Sequence, residues 1–149
     1  MGSNPAGDTI QPISGEVKAK MRDILIKAAS EVAGQIDLNG YAGNDAGSVG
    51  AALLTKDGNI YTGICLVLAC GLGFCAEASA VAEMLKHRET EIEMIVAVTD
   101  DGKVIPPCGR CRELLTQVNR GNLNTKVIIS RDEIKLLSDL LPDTWADKT

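Results

Sequence analysis

Two short cysteine clusters, each placed where an apolar run gives way to a helical one, restrict most severely how this chain can fold. Cys75, Ala76 and Glu77 follow the apolar stretch at 60–68. Pro107, Cys108, Gly109, Arg110 and Cys111 follow the β-branched run at 92–99 and a short extended piece ending at Pro106–Pro107. A strand-to-helix junction gathers free N–H groups and the positive end of a helix dipole. A thiol placed there loses its proton more easily. Cys108 and Cys111 share one helix face and can grip one ion. Cys75, 33 positions before Cys108, has to arrive from a different helix. Three thiolates are a zinc donor set that leaves the fourth tetrahedral position open to water. Helix dipoles and Arg110 or Arg112 offset part of the surplus negative charge. Glu77 does not share a face with Cys75 and need not ligate. From the first helical turn it can lean back toward the N-terminus and move a water's protons.

The rest of the chain reads as alternating elements. Ser14 caps a first helix whose apolar residues recur from Val17 through Ile24, Leu25 and Val32 to Ile36. A Gly- and Asn-containing loop at 39–47 leads to a strand at 49–55, a hairpin turn at 56–59 and a returning strand at 60–68. Gly71 and Gly73 loosen the chain before a helix from Cys75 to about His87. The spacing then predicts a buried strand at 92–99, a helix from Cys108 to about Asn119, a strand at 126–130 and a last helix at 132–141, with Asp132, Glu133 and Lys135 as its solvated start. That order predicts an α/β fold, a three-layer α-β-α sandwich with a mixed central sheet. Residues 1–13 are read as a flexible leader and 14–149 as one domain.

Composition narrows the partners. Net charge is −5 and aromatics make up 3% of 149 residues, so neither a basic face nor a stacking platform for nucleic acid is evident. A small-molecule substrate is expected. The apolar stretch from Ile64 to Cys70 is too short to span a bilayer, and residues 1–12 lack the basic start and apolar run expected of a signal peptide. The expected address is cytoplasmic, where five cysteines read as metal-binding or catalytic before disulfide-forming.

Other readings of the same residues stay open. Cys70 as a fourth thiolate with Cys75, Cys108 and Cys111 makes a closed structural zinc site with no place for water. Cys108 and Cys111 alone make a thioredoxin-like pair, although no Trp precedes them. Cys65 reads as a small buried hydrophobe, His87 as a cation at a helix C-terminus, and Trp145 as a packing residue or an interface aromatic.

The two cysteine motifs together resemble the cytidine deaminase family, in its small tetrameric branch, whose zinc signature is well described. Residues 49–53 resemble that branch's first strand, and Leu140, Leu141 and Pro142 its C-terminal end, so the likeness runs from about Ser14 to Trp145. It implies zinc on Cys75, Cys108 and Cys111, with Glu77 as the catalytic acid–base group. It implies hydrolysis at C4 of a cytosine ring, with Glu77 passing a water proton to the ring nitrogen and then helping ammonia leave. It also implies a homotetramer with shared active sites. Ala76, Ser48, Cys65, Val67, Pro107 and Trp145 match its substrate-contacting positions. Cys65 and Val67 stand where the family carries Asn and Glu against the ribose hydroxyl. Ala78 replaces an Arg, and Ser48–Val49 matches the strand entry of blasticidin-S deaminases. A modified cytosine nucleoside or another aminated heterocycle is therefore an alternative substrate.

Overall fold

The computed structural model describes residues 14–148. Along them run α1 (Gly15–Val32), a two-residue strand β1 (Ile36–Asp37), β2 (Asp45–Thr55), β3 (Ile60–Val67), α2 (Ala76–Lys86), β4 (Ile92–Thr99) and β5 (Val104–Ile105). Then come α3 (Gly109–Val118), a 3-10 turn at Arg120–Asn124, β6 (Lys126–Ile128), β7 (Ile134–Leu136), α4 (Leu137–Leu140) and a 3-10 turn at Trp145–Lys148.

Period-two alternation divides the core between two faces. Ala51 and Leu53 of β2 join Ile95 of β4 and Val127 of β6 in one buried cluster, completed by Ala80, Val81 and Met84 of α2 and Leu115 of α3. Ala52 and Leu54 join Met94, Val96, Val98 and Ile128 in the other, completed by Leu25, Ile26 and Ala29 of α1. Strands apolar on both faces need a helix layer on each side, so the expected three-layer α-β-α sandwich is what forms. β2 pairs antiparallel with β3 on one edge and with β4 on the other. β4 pairs parallel with β6, which pairs antiparallel with β7, so the seven-stranded sheet is mixed. Asn122, 1% exposed, pins the far end of α3 to the sheet. Its amide donates to the carbonyls of Leu115 and Thr90, and its oxygen accepts from Ile92 N–H at 2.9 Å.

Three expectations need correcting. The first helix ends at Val32 and does not reach Ile36. Ala33 turns extended, the Gly34 N–H donates to the Gly47 carbonyl at 2.7 Å, and Ile36 pairs with Ala46 as an edge strand. That contact also explains Gly47: its φ is +85°, and a Cβ there would meet the Gly34 carbonyl oxygen at 2.1 Å. The second strand starts at Asp45, earlier than expected, because a bulge between Ala46 and Gly50 carries the pairing past Gly47. The last helix is not at 132–141. Ser130 and Glu133 close a turn, Ile134–Leu136 pairs with β6, and only Leu137–Leu140 is helical. β6 would otherwise be an open edge, and that pairing outweighs the helical pattern. Asp132, Glu133 and Lys135 thus belong to a hairpin and not to a helix start. The expected leader at 1–13 lies outside the described residues.

Candidate metal centre

The chain enters α2 under tight control. Phe74 and Leu66 exchange both backbone hydrogen bonds, at 3.0 and 3.1 Å, as an isolated antiparallel bridge. Gly73 permits this approach, since a Cβ there would meet the Leu66 carbonyl oxygen at 2.4 Å. Cys75 then arrives as the N-cap residue of α2 in extended conformation, φ −72° and ψ 155°. Cys108 is the N-cap residue of α3, with φ −68° and ψ 169°, and Cys111 lies in that helix's first turn.

These two junctions meet. The sulfurs of Cys75, Cys108 and Cys111 all lie within 4.8 Å of one another, and Cys75 Sγ is 3.6 Å from Cys108 Sγ. Three sulfurs at tetrahedral corners around zinc are about 3.8 Å apart, since each Zn–S bond is about 2.3 Å. The donor set therefore fits zinc in both kind and spacing. Its electrostatics point the same way. Burial, then the bond to Cys108, pushes the Cys75 thiol up. Burial, then the negative charges of Glu77 and Cys75, pushes Cys111 up strongly. Burial also pushes Cys108 upward, but the N–H groups of Cys111 and Arg110 and the neighbouring sulfurs outweigh it, so its thiol sits below the ordinary range. Three sulfurs and a carboxylate facing one another can all ionise only beside a cation.

Glu77 is 5% exposed. Burial holds its carboxyl above the usual glutamate range, opposed by its backbone N–H and by a bond from Cys111. It thus touches the sulfur cluster without being one of the three sulfurs. Pro107 is buried and borders the same small space as Glu77, Ala97 and Val127. Ala76 is fully buried at the start of α2. Its methyl group belongs to the core cluster that also holds Cys65.

Ser48 and Cys65 come together at the bulge. Cys65 Sγ lies 3.3 Å from Ser48 Oγ and accepts from Val49 N–H at 3.3 Å. Cys65 is thus buried and bonded, more than the plain hydrophobe its sequence context suggests. Val67, at the end of β3, is 46% exposed. Trp145 is 63% exposed on the final turn, so it packs no core of its own chain. Cys70 is exposed, has φ +60°, and is not in the sulfur group, which removes the closed four-thiolate reading. The convergence of Cys75 with Cys108 and Cys111 likewise sets aside a two-cysteine redox pair. His87 caps the end of α2, 3.5 Å from Glu83 and stacked on Tyr61, away from the ligand group. In the sequence Arg112 closes the second cysteine motif and offsets part of the thiolates' charge. Its guanidinium donates to the Pro107 carbonyl at 2.9 Å and to the Leu140 carbonyl at 3.1 Å. The second partner is 28 positions away, and no local signal could have found it.

Known proteins resemble this chain in sequence and fold. The profile described as the cytidine and deoxycytidylate deaminase zinc-binding region matches residues 25–126, which includes both cysteine clusters. The cytidine deaminase of Halalkalibacterium halodurans is 33% identical over 132 residues, covering 83% of this chain and 93% of that protein. The crystal structure of the Mycobacterium tuberculosis cytidine deaminase superposes with a TM-score of 0.69 at 30% identity, over 83% of this chain and 95% of that one. A blasticidin-S deaminase from Bacillus cereus is 35% identical over 77 residues, a shorter match covering 46% of this chain and 55% of that protein. With a family model matched over residues 25–126 and a relative 33% identical over 83% of its length, this chain belongs to the cytidine and deoxycytidylate deaminase family.

Proposed function

We propose that this chain hydrolyses the amino group from a cytosine nucleoside or a close analogue, giving the uracil counterpart and ammonia. The observation that carries the reading is the meeting of three sulfurs from two helix starts beside a buried carboxylate. Cys75, Cys108 and Cys111 would hold zinc, which when bound would supply Lewis acidity enough to bring a water's pKa to about 7. Glu77 takes the proton from the attacking water and delivers it to the ring nitrogen beside C4. It then carries the remaining hydroxyl proton to the amino nitrogen. The C4–N bond breaks as the new C4–O bond becomes a carbonyl. Burial suits Glu77 to this work, because it raises the carboxylate's proton affinity toward that of the groups it serves.

Ala76, Pro107 and Ser48 line the pocket around the ring, and Cys65 and Val67 meet the part of the substrate that does not react. We infer a homotetramer in which Trp145 closes a neighbouring subunit's site, in keeping with its exposure. We also infer a cytoplasmic address. Five free thiols suit a reducing compartment, and no helix among the described residues is long and apolar enough to cross a membrane. A second reading keeps the chemistry and changes the substrate to a blasticidin-like nucleoside or another aminated heterocycle. It is favoured by Cys65 and Val67, which offer neither an amide nor a carboxylate to sugar hydroxyls.

One experiment separates the two readings. Purified, zinc-quantified protein is sized by light scattering and assayed for ammonia release from cytidine, deoxycytidine, cytosine, blasticidin S and an aminopurine. The first reading expects a tetramer turning over cytidine or deoxycytidine fastest. Blasticidin S or the aminopurine as best substrate transfers the assignment to the second, and no ammonia from any of them ends both.

A further inference from the structure

Neither helix that presents the sulfurs has the side-chain cap that ordinarily fixes how a chain enters its first turn. Ser14 caps α1 by accepting from Val17 N–H at 3.2 Å. Cys75 and Cys108 occupy the corresponding positions of α2 and α3 and make no such bond. A sulfur turned toward its fellow ligands is not free to cap. Each junction needs another brace. At α2 it is the two-way backbone pair between Leu66 and Phe74. At α3 it is a single side chain. Arg112 Nε donates to the Pro107 carbonyl, one residue before Cys108, at 2.9 Å. Its Nη1 donates at 3.1 Å to the carbonyl of Leu140, the last residue of α4, where helix carbonyls lack intrahelical partners. A planar guanidinium fork holds two carbonyls in fixed directions; a lysine ammonium on a flexible stem does not.

We propose that Arg112 is the positioning residue of the metal centre. By clamping the Pro107 and Leu140 carbonyls it sets the direction in which Cys108 and Cys111 present their sulfurs. It also ties that junction to the C-terminal segment that carries Trp145. Arg112 acts through the cysteines. The proposal rests on the reading of the three sulfurs as zinc ligands.

The test compares zinc-loaded parent, Arg112→Lys, Arg112→Gln and Asn122→Ala. The last breaks a buried clamp at the opposite end of α3 and reports general loosening. The readouts are the rate of zinc loss to a chelator, the visible spectrum of the cobalt-substituted protein, and kcat and KM. Both Arg112 variants are expected to release zinc about ten- to a hundredfold faster than the parent and to shift the cobalt bands. They should lower kcat with KM nearly unchanged. Asn122→Ala should lower the melting temperature with zinc release close to parental. Parental release and spectra in Arg112→Lys overturn the proposal. So does Asn122→Ala that speeds release as much as the Arg112 variants do, or failure of both Arg112 variants to fold. A parent that holds no zinc overturns the ligand reading itself, before any variant is compared.

Discussion

Replacing Glu77 by glutamine leaves about one zinc per chain in place and lowers kcat by roughly 10²–10⁴-fold. Glutamine matches glutamate in shape, so the buried space beside Pro107 and Val127 stays filled. An amide cannot accept the water proton and pass it on, so the step that needs a shuttle is lost. The proposed ligand set is the three clustered sulfurs without the carboxylate, which is why metal content should not follow activity. Elemental analysis beside an ammonia-release assay separates the two quantities. A glutamine variant that turns over at near-parental rate removes Glu77 from the mechanism. One that loses zinc together with activity makes Glu77 a ligand.

Cys111→Ala has a comparably large effect through a different link. Cys111 is 1% exposed and faces both partner sulfurs and Glu77. Its loss leaves two thiolates, too few to hold zinc firmly, and the alanine methyl keeps the core nearly filled. With free zinc a thousandfold above its dissociation constant, binding stabilises the parent by about 4 kcal/mol. For a chain of this size that corresponds to roughly 10 °C in melting temperature. The variant should melt near the temperature of chelator-stripped parent, respond little to added zinc, and release no ammonia. Zinc retained at parental stoichiometry in Cys111→Ala contradicts the assigned ligand set.

What could be read from the chain and what could not divide along physical lines. Cys108 and Cys111 are one helical turn apart, and that spacing by itself puts two sulfurs on one face. The apolar runs before each cluster fix the strand-to-helix junctions, and alternation in β2 and β4 fixes the two core faces. These are local signals. Residues 132–141 misled because their apolar spacing suits a helix as well as a strand followed by one turn. What decides is the open edge of β6, which only the folded sheet reveals. Ile36 misled in the same way, since its helical spacing yields to pairing with Ala46. The approach of Ser48 to Cys65 depends on a bulge, and the Arg112 fork on a carbonyl far along the chain. Both are products of tertiary closure with no trace in residue spacing. The meeting of Cys75 with the other two sulfurs is equally non-local, and it is legible because both clusters mark strand-to-helix junctions and the paired motifs resemble those of a known family.

The most direct measurement is zinc K-edge X-ray absorption on the purified, active protein. The expected spectrum has three sulfurs at about 2.3 Å and one oxygen or nitrogen at about 2.0 Å. Four sulfurs, or fewer than three, contradict an open site built from Cys75, Cys108 and Cys111.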